Sequence, residues 1–418
     1  HKKNLRKPLL MLDGKQKELS ETKTSSGYRR IKGPAGSGKS QVLAARAANL
    51  ALNGKRVLIL SYNITLYAYL RDLVRRVLLP YPKKERERAH RNVEYYHYHG
   101  WCRLLYRRLT KGRDIFIDAV RSDDSTDEAE EMFKRQSAKA LKLIKQQSEE
   151  EKYDVILVDE GQDWRLYMWD VVRAAVKKDG ELILTADKTQ DLYGTASAWT
   201  DEAMIGAGFR GGWVNLEGSY RLPKDYIPFV SDFAERFFTE DRRELPNDDQ
   251  QELAIDETVK HWIQLDDDYE DTTERCVEVI ANKLPLCEQD ELPYSDITFL
   301  AIDNKRGNRV VRHLKEEKGI KSIFTFANDY DVQKQQKLAF SISKELVKAT
   351  TIHSFKGWES PLLLVQIERD ARIGVNNEYL ATIYTALTRL KCSVRGKAYI
   401  SVVCSDPYFS DYGCSWSE

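Results

Sequence analysis

The fold of this 418-residue chain is decided by one short stretch, GPAGSGKS at residues 33–40. It follows YRRIK (28–32), a strand-forming segment more basic than a central strand usually is, and precedes an alanine-rich helical segment at 41–55. Glycines let the backbone turn its N–H groups toward phosphate oxygens, and the positive end of the next helix adds to the attraction. In this pattern Lys39 holds the β and γ phosphates of a nucleotide, and Ser40 offers its hydroxyl to Mg²⁺.

Composition places the chain among globular proteins of two or three domains, since 42% of its residues are hydrophobic. The 66 Lys and Arg residues nearly balance the 65 Asp and Glu residues, so any surface that attracts nucleic acid must be local. The six cysteines lack metal-finger spacing and, without a secretory signal, favour reduced thiols and a cytoplasmic location. No apolar run approaches the roughly 18 to 20 residues of a membrane span, so no membrane partner is expected.

Short aliphatic runs recur along the chain, and they are continuous rather than alternating, as expected of parallel strands covered on both faces. They are VLIL (57–60), VILV (155–158), LILT (182–185), ITFL (297–300), LLLV (362–365) and YISVV (399–403). The pattern predicts an α/β fold of the P-loop NTPase class, with parallel sheets in two domains, 1–222 and 223–418. Small insertions are predicted at about 80–152, which is basic and helical, and at about 235–292.

A second chemical signal lies at VILVDEGQDW, residues 155–164. A bland interpretation exists, because buried strands usually end in polar turns. The functional interpretation assigns Asp159, at the strand end, to Mg²⁺ and Glu160 to the attacking water, since a P-loop ATPase needs a second carboxylate site. A simple ATPase would leave Gln162 and Asp163 without a role.

These two segments belong to an ordered series that resembles the UvrD/Rep-type DNA helicases of superfamily 1. The other similar segments are Gln16 in LDGKQKEL, LSYNITLYAYLRDL (60–73), HYHGWC (97–102), ADKTQDLYG (186–194), LEGSYRLP (216–223), TIHSFKGWE (351–359) and YTALTRLK (384–391). The resemblance covers nearly the whole chain and implies two RecA-like domains. The sequence departs from the family at Ala186, at Ser219 and in YGTASAW (193–199), where the family has glycine, asparagine and Trp-Arg-Gly-Ala.

By this resemblance, ATP binds in a cleft between the two domains. The catalytic residues would be Glu160, Gln190, Arg221 and Arg389, with the two arginines acting as arginine fingers on the transferring phosphoryl group. The metal would be held by Ser40 and Asp159. The nucleotide would be bound by Gln16 and Tyr220 at adenine, Glu359 at ribose, Gln162 and Gly357 nearer the phosphates, and the loop residues Gly33, Pro34, Ala35, Gly36, Ser37, Gly38, Lys39 and Ser40. Trp164, where the family tends to have a small polar residue, is expected to pack under the loop.

The resemblance also implies a track for single-stranded DNA across both domains. Its contacts would be Ser61, Tyr62, Asn63, His99, Tyr193, Trp199 and His353. Next to two of these motifs, residues 80–113 hold ten Lys or Arg against three Glu, with six Tyr or Trp among them. Cations for phosphates and aromatic faces for bases are typical of a strand-binding groove, although a charged helix with ordinary aromatic packing has the same composition.

The predicted function is an ATP- and Mg²⁺-dependent DNA helicase or translocase. By resemblance it would move 3′ to 5′ on single-stranded DNA, or on DNA with a single-stranded tail, in DNA repair or antiviral defence. The alternative is a DNA-stimulated ATPase that acts as a clamp, sensor or regulatory subunit of a nuclease-containing complex without processive unwinding. A signalling GTPase is disfavoured because the sequence has no guanine-reading Asn-Lys-x-Asp.

Overall fold

The structure is a computed structural model, and it describes residues 10, 12–34, 36–63, 66–110, 126–187, 208–216, 222–240, 257–265, 271–327, 332, 335–336, 340, 346–369, 374–393 and 396–417. Within these residues the strands form two six-stranded sheets, and every pairing between neighbouring strands is parallel. The predicted α/β fold with two parallel sheets is therefore confirmed.

The first sheet carries the two segments that sequence analysis singled out. Its strands are β1 (Tyr28–Lys32), β2 (Val57–Ser61), β3 (Val93–His97), β4 (Tyr153–Val158), β5 (Val176–Ala186) and β6 (Val214–Asn215). They lie in the order β3-β2-β4-β5-β1-β6. The glycine-rich loop follows β1 and the DEGQD run follows β4, so both lie at the carboxyl edge of this sheet with the end of β5 between them.

The second sheet lies in the later half of the chain. Its strands are β7 (Glu257–Gln264), β8 (Ile297–Ala301), β9 (Ser322–Phe324), β10 (Val347–Thr351), β11 (Leu362–Ile367) and β12 (Lys397–Cys404). They lie in the order β7-β12-β11-β8-β10-β9. Because TIHSFKGWE begins at the last residue of β10, its side chains also lie at the carboxyl edge of a parallel sheet.

Helices flank both sheets. In chain order they are α1 (Gly14–Glu21), α2 (Lys39–Leu52), α3 (Leu66–Leu78), α4 (Lys83–Arg91), α5 (Tyr98–Leu109), α6 (Thr126–Ile144), α7 (Leu166–Ala175), α8 (Ile227–Phe237), α9 (Thr273–Gln289), α10 (Asn304–Lys318), α11 (Ile352–Phe355), α12 (Asn377–Leu387) and α13 (Ser410–Cys414). Local sequence sets several of their ends. At α10, the Asp303 side chain accepts a hydrogen bond from the Arg306 N–H, and Gly319, with a φ of 62°, ends the helix in the left-handed conformation.

The apolar core is shared between the two halves of the chain. One cluster of buried side chains includes Val42 and Leu66 from the first half together with Phe355 and Tyr384 from the second. A second cluster fills the other face of the first sheet under α5, α6 and α7, and a third fills the other face of the second sheet under α9 and α10. The two sheets are therefore joined by packed hydrophobic surface as well as by the polar contacts described below.

Both predicted insertions contribute a strand to a sheet. The interval 80–152 contains β3, which lies at one edge of the first sheet, and the interval 235–292 contains β7, which lies at one edge of the second. The predicted division between residues 222 and 223 falls between β6 and β7 and stays a prediction.

Candidate functional site

The glycine-rich loop is shaped by glycines in conformations that other residues rarely adopt. Gly36 and Gly38 have φ angles of 85° and 84°. A Cβ atom at Gly33 would lie 2.5 Å from the carbonyl oxygen of Leu216, so this position also needs glycine. Lys39, the first residue of α2, turns its Nζ back to the Gly33 carbonyl oxygen at 2.6 Å. The loop thus encircles an amine at a helix N-terminus, an arrangement suited to phosphate.

The two residues assigned to a metal ion lie in contact. The Ser40 hydroxyl donates to Asp159 Oδ2 at 2.7 Å, and Thr185, near the end of β5, donates its hydroxyl to Asp159 Oδ1 at 2.6 Å. Trp164 is fully buried, and its Nε1 donates to the Asp159 carbonyl oxygen at 3.3 Å. The expected packing of this tryptophan under the loop agrees with the structure. Asp159 is thus held by Ser40 of the glycine-rich loop, by Thr185 of β5 and by Trp164 beneath its backbone.

Glu160 sits in a backbone conformation that costs free energy. Its φ is 55° and its ψ is 49°, the left-handed region that few residues other than glycine adopt. Its Oε2 accepts a hydrogen bond from Gln162 Nε2 at 2.6 Å, and Gln162 Oε1 accepts one from the Asp187 backbone N–H at 3.0 Å. Gln162 therefore links the acid at the end of β4 to the segment that follows β5.

A buried ion pair joins the DEGQD loop to the second half of the chain. Lys356, in TIHSFKGWE, places its Nζ 2.7 Å and 2.8 Å from the two carboxylate oxygens of Asp163, and its side chain is only 2% exposed. The same Nζ lies 4.0 Å from Glu160 Oε2. One lysine from the second half thus contacts two acids of the first.

The side chains surround a cleft of about 430 Å³, here called the ATP cleft. It is lined by Gly36, Gly38, Lys39, Ser40, Gln41, Tyr69, Glu160, Asp187, Gly357, Glu359 and Arg389. Glu359 Oε1 accepts a hydrogen bond from the Tyr69 hydroxyl at 2.9 Å, and the Arg389 Nε donates to the Thr385 carbonyl oxygen at 2.9 Å. The structure therefore brings the predicted residues Gly357, Glu359 and Arg389 to the glycine-rich loop from the far end of the sequence.

Charge in the ATP cleft is balanced by buried cations. Burial and then the adjacent Glu160 charge raise the pKa of Asp159. Burial also opposes ionisation of Glu160, but Lys356, Lys39 and Arg389 together outweigh it, and the pKa of Glu160 is lowered. The site is thus arranged to keep Glu160 as a carboxylate, the form that can accept a proton or a hydrogen bond from water.

The oxygen donors in the cleft fit a magnesium ion. Ser40 and Asp159 offer a hydroxyl and a carboxylate, which are ligands that Mg²⁺ prefers. Among the residues that the structure describes, no group of three or more His, Cys, Asp and Glu side chains could enclose a metal by itself. An ion with two protein ligands would complete its coordination with phosphate oxygens and water, as Mg²⁺ usually does at phosphate sites.

Gln16, predicted to contact adenine, lies against the glycine-rich loop. Its Nε2 donates to the Ser37 carbonyl oxygen at 3.1 Å, and its Oε1 accepts from the Asp13 N–H at 3.2 Å in the capping box that begins α1. A Cβ atom at Gly38 would lie 2.3 Å from that Nε2. Its position is therefore fixed beside the phosphate loop, and its role at adenine stays a prediction.

Two of the predicted DNA contacts meet at the seam between the halves. Asn63 donates its side-chain amide to the backbone carbonyl oxygens of His353 and Ser354, at 3.0 Å and 3.1 Å. Ser61 is 1% exposed, and its hydroxyl donates to the Asn63 carbonyl oxygen. Ser61 thus shapes the loop, whereas Asn63 joins the first half to the backbone of the second at His353 and Ser354. The roles of these residues at DNA stay predictions.

Tyr62 and His99 belong to an aromatic group on the first half. The His99 ring lies 4.1 Å from that of Phe133 on α6, 5.3 Å from Tyr98 and 5.9 Å from Tyr62, measured between ring centres. Burial lowers the pKa of His99 to about 4. His99 is therefore neutral at physiological pH, so it would contact a nucleic acid as a neutral ring rather than as a cation.

The basic segment at 80–113 does not form one surface. Its helix α4 packs on α2, on one face of the first sheet, and Ala89 belongs to the cluster there. Its helix α5 packs on α6, and Trp101 and Leu105 belong to the cluster on the opposite face. The two helices therefore lie on opposite faces of the first sheet, with the edge strand β3 between them in the chain, and the contact of this segment with single-stranded DNA stays a prediction.

Several predicted site residues lie outside the described residues. They are Ala35, Gln190, Tyr193, Trp199, Tyr220 and Arg221. Their assigned roles stay predictions.

Sequence analysis missed Gln41, Asp187 and Tyr69, which line the ATP cleft, and Lys356, which lies close to it. Asp187 is the first residue after β5 and lies 3.7 Å from Lys39 Nζ. Tyr69 lies on α3, and Lys356 reaches in from the second half. A signal existed for Asp187, since it follows a strand that neighbours both β1 and β4, and for Lys356, which stands inside a quoted motif. Tyr69 also stands inside a quoted segment, LSYNITLYAYLRDL (60–73), but nothing in that segment pointed to the nucleotide.

Comparisons with known proteins agree with this geometry. Residues 16–196 match a family model described as an AAA domain. The whole fold is similar to the structure of S. cerevisiae Dbp5 bound to RNA and ADP BeF3, with a TM-score of 0.51 and 11% sequence identity over 93% of this chain and 82% of that chain. A search of curated proteins found no similar sequence.

The fold and the site together define a class of protein. Residues 16–196 are similar to an AAA domain, and the chain as a whole has an α/β fold with two parallel six-stranded sheets. All six cysteines lie in the described residues, and none of them forms a disulfide. No described helix is long and apolar enough to cross a bilayer.

Proposed function

We propose that the chain is an ATP-dependent motor of the UvrD/Rep type that moves on single-stranded DNA. The nucleotide part of this proposal is supported by the P-loop, by the contact of Ser40 with Asp159 and by the AAA-domain match. The choice of DNA and the 3′ to 5′ direction come from the sequence motifs alone.

The observation that carries the proposal is the buried contact of Lys356 with Asp163. Asp163 lies three residues after Glu160, and Lys356 lies three residues after His353, which neighbours Asn63. A change in the charge near Glu160 would therefore act directly on the segment that carries the predicted DNA contacts. A motor needs such a link, because ATP turnover must change how the two halves hold the strand.

The side chains supply the chemistry of phosphoryl transfer. Lys39 and the loop N–H groups would bind the phosphates, and Glu160 would orient the attacking water. Arg389, only 1% exposed at the cleft, would stabilise charge that develops on the transferring group. Mg²⁺ held by Ser40 and Asp159 would neutralise phosphate charge. Gln162, between Glu160 and Asp187, is assigned to coupling rather than to nucleotide affinity.

The test compares ATP hydrolysis with strand displacement on the same substrates. Hydrolysis would be measured with single-stranded DNA, with duplexes bearing a 3′ or a 5′ tail, and with RNA, and displacement would be measured on the tailed duplexes. We expect stimulation by single-stranded DNA and displacement from the 3′ tail. Gln162→Ala should keep ATP affinity but lose displacement more than hydrolysis.

Two results would change the proposal. Strong stimulation without displacement from either tail would favour the clamp or sensor alternative. Hydrolysis that no nucleic acid stimulates would overturn the assignment to a nucleic-acid motor. The contact between Lys356 and Asp163 would then not couple nucleic-acid binding to ATP turnover.

A further inference from the structure

A cluster of cationic side chains lies at the β3 edge of the first sheet. Helices α3 and α4 both contact β3. Arg71 and Arg75 are four residues apart on α3, and Arg86 and His90 have the same spacing on α4, so each pair lies on one face of its helix. We call these four side chains, with Tyr95 of β3, the cationic cluster.

The arginines of the cationic cluster, from two helices, lie close enough to His90 to act on its imidazole. Burial and then the charges of Arg75, Arg71 and Arg86 lower the pKa of His90, so three arginines act on a single imidazole. Arg75 is exposed and Arg71 and Arg86 are half-buried, which leaves them within reach of solvent. Like charges on neighbouring helix positions are unfavourable, so a bound anion would relieve their repulsion.

The carboxylate that adjoins Tyr95 on β3 is engaged on the opposite face of the sheet. Glu94 precedes Tyr95 on β3, so the two side chains point to opposite faces. Glu94 accepts hydrogen bonds from Arg56 at 3.0 Å and from the Tyr153 hydroxyl at 3.1 Å. The Tyr95 hydroxyl oxygen is shielded from solvent and has no hydrogen-bond partner in the part of the chain that the structure describes. The cationic cluster therefore includes a hydroxyl donor that is not used within those residues.

The cationic cluster is separate from the ATP cleft. Tyr69, near the start of α3, lines that cleft. Arg71 lies two residues further along the helix and so on a different face, and Arg75 lies six residues further, about 9 Å away along the axis at about 1.5 Å per residue. Asn63 and His353 lie beyond the cleft end of α3. The phosphate groups that these arginines hold would therefore be different from those bound at the glycine-rich loop.

We propose that the cationic cluster binds the phosphodiester backbone of a nucleic acid. Guanidinium groups pair with phosphate oxygens in a two-bond geometry, and several in a row match the repeated phosphates of a strand better than one isolated anion. Tyr81, 38% exposed, offers an aromatic face in the turn that joins α3 to α4. The choice of a nucleic acid over another polyanion rests on the proposed function. The arginines would recognise the charge of the phosphates and not the bases, so they would bind duplex and single-stranded nucleic acid alike.

The test uses the full chain and measures binding of a fluorescently labelled 20-base-pair duplex by anisotropy over a range of salt concentrations. The variant is Arg71→Ala with Arg75→Ala. The control is Lys139→Ala with Lys142→Ala, which removes the same charge from exposed positions on α6, across the sheet. Arg71→Lys with Arg75→Lys restores the charge.

The variant should bind more than 10-fold more weakly at low salt, and the slope of log affinity against log salt should fall by about two, since each phosphate contact contributes about 0.9. The control and the lysine variant should keep the wild-type slope. Nucleotide hydrolysis without nucleic acid should be unchanged in the variant, and its unfolding temperature should equal or exceed that of the wild type.

Other outcomes overturn this inference in distinguishable ways. Wild-type affinity and slope in the arginine-to-alanine variant would place the backbone contact elsewhere and leave the proposed function intact. A wild-type chain that binds neither duplex nor single strand would remove both proposals. Equal displacement of the duplex by a polyglutamate of matched charge would show that the cationic cluster accepts any polyanion and would overturn its assignment to nucleic acid.

Discussion

The carboxyl edges of the two sheets differ, although both sheets have six parallel strands. At the first edge, Lys39, Glu160 and Asp187 line an open cleft of about 430 Å³. At the second edge, Glu368 accepts hydrogen bonds from Arg306 at 2.6 Å and Arg309 at 3.0 Å.

The same closure is repeated at the end of β12, where Arg369 donates to Asp406 at 2.7 Å. After β11 and β12 the second edge therefore pairs its charges with one another, whereas after β10 Gly357 and Glu359 face the cleft beside the glycine-rich loop. The difference shows that a parallel sheet is only a scaffold. The loops that follow its strands determine whether its carboxyl edge binds a ligand.

The largest expected effect comes from removing the cation at the open edge. Lys39→Ala should lower ATP hydrolysis by about 10²- to 10³-fold, since one preorganised electrostatic contact to a reacting group has roughly that effect. Steady-state phosphate release measures it. The matched control is Arg306→Ala at the closed edge, where Glu368 keeps Arg309. Equal losses of turnover in the two variants would mean that the two edges are not functionally different.

An effect of similar size in free energy, on stability rather than on turnover, is expected from breaking the contact between the halves. Lys356→Ala leaves the buried Asp163 carboxylate without its cation and should destabilise the fold by about 3 to 5 kcal/mol. Urea unfolding measures the change. Adding Asp163→Ala to the same chain should recover much of that loss, because the uncompensated charge is then gone. Purely additive losses would show that the ion pair contributes nothing beyond its separate side chains.

The smallest of the three effects concerns a buried lysine of the second half that has a hydroxyl as its partner. Lys283 is 5% exposed and donates to the Ser401 hydroxyl at 3.2 Å. Burial lowers its pKa from 10.5 to about 8. Below pH 8 the folded protein holds a buried charge, so Lys283→Met should stabilise it by on the order of 2 kcal/mol at pH 7.

The sign of the pH dependence gives a sharper test of the same residue. Between pH 8 and 10.5 the folded wild type loses this proton before the unfolded chain does. Wild-type stability therefore gains with rising pH across that window, and the advantage of Lys283→Met should shrink. Thermal unfolding at a series of pH values measures this stability difference, with the exposed Lys321→Met as control. A constant advantage across the window would mean that the folded protein keeps this proton as long as the unfolded chain does, so that burial does not lower the pKa of Lys283.

Much of the fold was readable from the sequence because central parallel strands are buried on both faces. Continuous aliphatic runs marked β2, β4, β5, β8, β11 and β12. The strands β3 and β7 were assigned to insertions, since they lie at sheet edges and their residues VEYYH and ETVKHWIQ are mostly half-buried or exposed. The basic strand β1 is accommodated because Arg29 and Arg30 donate to the carbonyl oxygens of Leu19 and Gly211.

The candidate site was readable where each partner lies in a recognisable motif. The contact of Ser40 with Asp159 joins two such motifs, which follow β1 and β4 on either side of β5. The contacts of Lys356 and Tyr69 could not be predicted, because they depend on how closely the two halves approach each other. The split of the basic segment was missed for a similar reason, since composition does not show that a strand will separate its two helices.

The seam between the halves is tightest at Gly357. Its φ is 83°, and a Cβ atom there would lie 2.3 Å from Leu66 Cδ1, a side chain that is fully buried. The clearance at this point is therefore smaller than one methyl group. Interlocked packing of this kind does not yield gradually, because the surfaces are either seated or apart. Any opening of the cleft at this seam would be an all-or-none event. A single carbon added at position 357 would overlap Leu66 and hold the two halves apart.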